Sequence, residues 1–146
     1  MRILLLKHLA VLFALIVAGL GCNPGYRIES EQLFKQLRVA TDPTKLRAWV
    51  AAASTGVERN NGSNSWMLPK EKWPAWLESV RLDHGLMGVT IYVTKESTNA
   101  RIVWGDGRGL CGLDVSTGSN GFVLPNKDFH ALTWEPGIYV WHNSHE

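Results

Sequence analysis

The sequence predicts an α+β fold, with two or three N-terminal helices packed on an antiparallel β-meander of about four or five strands, a usual sheet size. Three observations carry this prediction. Apolar residues recur at i, i+3, i+4 and i+7 in the first half of the chain, as far as Val80. From Gly88 onward, short β-branched and aromatic runs alternate with turn residues. Helices first and strands later point to an antiparallel sheet rather than to repeated βαβ units.

The first helix is expected over residues 30–40, where Leu33 and Leu37 lie four apart on one face. Asp42-Pro43 restarts the chain, Asp as an N-cap and Pro at the first helical position. Leu46, Trp49, Val50 and Ala53 then form one apolar stripe, and Gly56 suits a stop. Residues 59–65, rich in Asn, Gly and Ser, form the most loop-like stretch. Trp73, Trp76, Leu77 and Val80 again share one helical face, which predicts a third helix over residues 70–80. Pro74 moves its start toward Trp73, because Pro is tolerated in a first turn and not further in. Strands are expected over residues 88–94, 101–104, 110–115, 121–124 and 137–142, with Glu135-Pro136-Gly137 as the turn before the last.

Gly107-Arg108-Gly109-Leu110-Cys111-Gly112 has the spelling of a dinucleotide-binding loop. Such a loop must open a helix, and Leu113 to Gly118 is a poor helix. A hairpin turning at Asp106-Gly107 fits better. It pairs Trp104 with Gly109, Ile102 with Cys111 and Ala100 with Leu113 on an apolar face, and puts Arg101 and Asp114 on the other. Cys111 then reads as a small buried hydrophobe.

The start of the chain has a different character. Arg2 and Lys7 precede an apolar stretch from Leu9 to Leu20, the length of a signal core and too short to span a bilayer. Val17-Ala18-Gly19-Leu20-Gly21-Cys22 closes it. This run resembles the lipobox of bacterial lipoproteins, and the resemblance covers only the leader. It implies cleavage before Cys22, lipid on the Cys22 sulfur and an acylated new amino terminus. The expected organisation is a signal peptide over residues 1–21, a lipidated tether over 22–26 and a single α+β domain over 27–146. The expected location is the bacterial cell envelope, with the membrane as a partner through the anchor, since several acyl chains hold a protein stably where one does not.

The net charge of +2 in the full chain equals the contribution of Arg2 and Lys7, since every acid lies after Cys22. The mature part is formally neutral and its basic residues are scattered, which argues against a nucleic-acid partner. With Cys22 lipidated, Cys111 has no intrachain cysteine partner, which excludes a disulfide framework. All seven Trp follow the leader, enough to fill a core or to line a surface.

No spacing in the sequence specifies a reaction, a metal or a cofactor. His130, His142 and His145 are the histidines considered for chemistry, with Asp106, Asp114, Asp128 and Glu135 as acids that would have to meet them. The aromatic residues point instead to recognition. On the last strand Tyr139 and Trp141 alternate with Ile138 and Val140, and convergence of Trp66, Tyr92, Tyr139 and Trp141 would make a surface for a protein or glycan partner. The functional expectation is a membrane-anchored binding or structural module using an exposed aromatic sheet face. The alternatives are an inhibitor or immunity-type lipoprotein, presenting the 59–65 loop to another enzyme, and a small envelope hydrolase.

Overall fold

The computed structural model describes residues 24–55, 64–105, 110–118 and 129–143. Two α-helices, α1 (Pro24–Ala40) and α2 (Pro43–Ala53), lead into β1 (Asn64–Met67). Two 3-10 turns follow, η1 (Lys70–Lys72) and η2 (Ala75–Ser79). The rest is strand: β2 (Leu86–Val93), β3 (Thr98–Gly105), β4 (Leu110–Ser116), β5 (Phe129–Glu135) and β6 (Ile138–Asn143). The fold is α+β, with one antiparallel sheet of six strands in the order β1-β2-β3-β4-β6-β5.

This corrects the expected architecture in three respects. The described strands number six rather than four or five. Helical turns also occur after β1, so they are not confined to the N-terminus. The meander breaks after β4, because β6 takes the place beside it and β5 forms the far edge. A tight turn at Pro136-Gly137, with Gly137 at φ +86, folds β6 back on β5. That positive φ suits glycine and few other residues.

Local chemistry explains the helix boundaries. Asp42 caps α2 by accepting from Lys45 N at 2.9 Å, and Pro43 sits in the first turn. The helix α1 begins at Pro24, so it takes in part of the segment read as a tether. No continuous third helix forms over residues 70–80. Trp73 and Pro74 are extended, with ψ of 146 and 142, and they split the segment into η1 and η2. Proline forces this twice over: it offers no N–H, and it drives the preceding residue out of helical space.

One face of the sheet carries Val89, Ile91 and Val93 of β2, Ala100, Ile102 and Trp104 of β3, and their partners on β4 and β6. Leu33, Leu37, Leu46 and Val50 of the helices, with Leu77 and Val80, close over it as a single core. Among the described residues, the buried members of that core fall between Leu33 and Val140. Polar ties fix the helices to the sheet. Arg47 on α2 donates to Ser116 O at 3.3 Å and Pro136 O at 2.8 Å, and pairs with Glu135. Ser54 Oγ lies 3.1 Å from Thr98 Oγ1, and Ser30 Oγ lies 3.0 Å from His142 Nδ1.

The β3–β4 register differs by two residues from the expected one. Trp104 faces Cys111, Ile102 faces Leu113 and Ala100 faces Val115. Side chains alternate with period two, so a two-residue displacement leaves every residue on its expected face. It sets Arg101 directly opposite Asp114. The Asp106-Gly107 turn and the 121–124 strand lie outside the described residues.

Candidate functional site

The described helical elements all pack on one side of the sheet, and the opposite side presents three rows of residues. The middle row runs Thr90, Arg101, Asp114, Tyr139 and Thr133 across the strands from β2 to β5. A second row runs Gly88, Val103, Gly112, Trp141 and Ala131. The third includes Ser65, Tyr92, Asn99 and Ser116.

At the centre, Arg101 grips Asp114 through two bonds, Nε to Oδ1 at 2.9 Å and Nη2 to Oδ2 at 2.8 Å. The Asp114 side chain is fully buried and that of Arg101 is 17% exposed. Burial opposes the Arg101 charge, but the Asp114 hydrogen bonds and charge outweigh it and hold the guanidinium above its usual range. The guanidinium carbon also lies 5.4 Å from the Trp141 ring centroid, a cation–π contact. Trp141 is sunk against the backbone. A Cβ on Gly112 would fall 2.3 Å from its Cζ2, so only glycine leaves room for the indole. At Gly88 a Cβ would stand 2.9 Å from Met67 Cε, the tip of a flexible side chain that can swing aside.

The surface therefore has a rigid, electrically paired centre and a softer rim. Trp141 is 2% exposed and Met67 is 68% exposed, while Tyr92 and Tyr139 are half-buried. Asn99 donates to Ser97 Oγ at 3.1 Å, and its buried carbonyl oxygen has no partner among the described residues.

Of the four aromatic residues expected to converge, Tyr92, Tyr139 and Trp141 lie on this face. Trp66 does not. It pairs with Ile91, shares the helix-covered face and packs half-buried against the core. Trp141 shares the face but contributes almost no exposed area. Arg101 was expected on this side as a charged residue, without a recognition role. Met67 was missed, although it follows Trp66 directly and so points the opposite way.

Several groups considered for catalysis have other engagements among the described residues. Cys111 is 1% exposed, and burial, then the Glu29 charge, push its thiol up to about 12. It is therefore a poor nucleophile. The His130 and His142 rings stack at 5.1 Å on the edge of the sheet. Asp114 is committed to Arg101 and Glu135 to Arg47. His145, Asp106, Asp128 and Cys22 lie outside the described residues. Among the described residues no three His, Cys, Asp or Glu side chains form a group that could hold a metal ion. No described helix is long and apolar enough to cross a membrane.

Comparison of the chain with protein-family models, with curated proteins and with solved structures finds no match.

Proposed function

We propose that this chain is a lipid-anchored binding module of a bacterial cell envelope, held by Cys22 and presenting the helix-free face of its sheet to a protein partner. The observation that carries the binding half of this reading is the arrangement around Arg101 and Asp114. A pre-paired, buried charge centre is flanked by half-buried Tyr92 and Tyr139 and by the exposed thioether of Met67. Aromatic rings and Arg are the groups enriched at protein interfaces, and Met adapts its shape to a partner. The anchor half is supported by the lipobox-like run ending at Cys22.

Each half has its own test. Intact mass of the protein isolated from a bacterial envelope should begin at Cys22 with an added acyl mass, and Cys22→Ala should abolish both. A different start or an unmodified Cys22 overturns the anchor. For the surface, a photo-crosslinker at Met67 should give a discrete adduct in intact cells, and Tyr92→Asp should remove it. A crosslink pattern unchanged by Tyr92→Asp overturns the assignment of this face.

A further inference from the structure

We propose that a second site, on the helix side of the sheet, binds an anionic amphiphile, meaning an acyl or aryl body that ends in a carboxylate, sulfonate or phosphate. The site is a cleft of about 620 Å³ between the 3-10 turns, the segment leading into β2 and the end of β3. That volume lies within the roughly 300–1,000 Å³ of small-molecule sites.

The lining has two chemistries. Trp73, Leu77, Leu86 and Trp104 supply apolar surface, and Trp104 and Leu77 belong to the buried core. Lys70, Arg81 and His84 supply cationic or potentially cationic groups, with Glu78 as the carboxylate among the lining residues. His84 is engaged by Glu29 at 3.2 Å. The exposed side chains of Lys70 and Arg81 have no ion-pair partner among the described residues. Two cationic residues without an ion-pair partner among the described residues thus share a lining with aromatic and aliphatic ones. A ligand that satisfies both must carry an anionic group on an apolar body.

The walls are fixed before any ligand arrives. Trp73 Nε1 donates to Leu68 O at 2.9 Å, which holds the indole in place. The Gln36 carboxamide on α1 accepts from Arg81 N at 2.6 Å and donates to Arg81 O, copying a strand pairing with one side chain. Gly85 O accepts from Gly105 N at 3.1 Å. The segment 81–85 is therefore pinned at both ends, and a preformed cleft spares a ligand the cost of ordering it. This site is separate from the helix-free face and does not depend on the lipid anchor.

The test uses the full chain and two fluorescent probes. One is the anionic 8-anilinonaphthalene-1-sulfonate; the other is N-phenyl-1-naphthylamine, the same rings without the charge. The sulfonate should bind saturably, with energy transfer from tryptophan, and more tightly than the neutral probe. Lys70→Gln with Arg81→Gln should weaken the sulfonate by about tenfold, the effect of two partly screened charges, and leave the neutral probe unchanged. Dodecanoate below its micellar concentration should displace the sulfonate, and dodecyltrimethylammonium should not. An unchanged cooperative melt of the double variant shows that the fold is intact. Absence of saturable binding, equal affinity for both probes, or a sulfonate affinity indifferent to the double substitution overturns the proposal.

Discussion

The six-membered ring of Trp141 rests on the backbone of Gly112, closer than any side chain there would permit. The Cβ of an alanine at 112 would also meet Ile102 O at 2.6 Å, so moving the indole alone cannot relieve the clash. Gly112→Ala should cost about 2–3 kcal/mol in urea denaturation, the range of overpacked sites. Gly85→Ala, where an added Cβ meets nothing within 4 Å, should change stability by less than about 0.5 kcal/mol. Equal effects at the two positions would contradict this packing.

Breaking the Arg101–Asp114 pair on one side leaves a buried charge without compensation. Asp114→Ala should destabilise by about 3 kcal/mol, and replacing both residues as Arg101→Met with Asp114→Leu should recover most of the loss. The comparison of single and double variants in chemical denaturation separates the penalty of an orphaned charge from the net contribution of the pair.

Asp42 links the start of α2 to pH. The backbone N–H of Lys45, then the Lys45 side chain, hold its carboxyl below the usual value of 3.8. A carboxyl with a depressed folded pKa binds its proton more tightly in the unfolded chain. Its stabilising effect is present above the unfolded value and is lost as pH falls through the folded one. The stability gap between wild type and Asp42→Ala should therefore narrow below about pH 4. A gap that stays constant from pH 7 to pH 3 would show that the cap works without its charge.

Much of the fold is legible in the sequence because periodicity survives folding. Leu46, Trp49, Val50 and Ala53 do face the core, and Asp42-Pro43 does open a helix. Arg101 and Asp114 lie on the side opposite the core, as their alternation requires. The two-residue register displacement was not legible, since a period-two pattern is identical after any even slip. Strand β1 sits partly in the loop-like stretch and is only Asn64–Met67, too short for an alternation to register. Strand β5 shows Leu132 and Trp134 on one side and Ala131 and Thr133 on the other, a weak contrast broken by a bulge before Glu135. On the candidate face, alternation grouped Tyr139 with Trp141 on one side of the last strand, without saying which side lies away from the core. Trp66 was not placed correctly because its strand was missed. The cleft escaped the sequence because its walls come from segments that only tertiary packing brings together.

Cys111 should be chemically silent in the folded protein. With its thiol pushed up to about 12 and 1% of its area exposed, almost no thiolate exists at pH 8. In a Cys22→Ser variant, iodoacetamide should label Cys111 only as fast as the domain opens, and rapidly in denaturant. Fast labelling of the native state would mean that β4 opens far more readily than its neighbours.

The helix α1 starts at Pro24, two positions after Cys22. Two residues of chain reach about 7 Å at most. On the proposed anchoring, the leash between fat and fold is therefore very short. Glu29, with the His84 it holds, lies roughly 8 Å along the helix axis from Pro24. The domain would ride close against its bilayer with that end downward, free to swivel but unable to stretch away, so any ligand or partner must come to the lipid surface to be met.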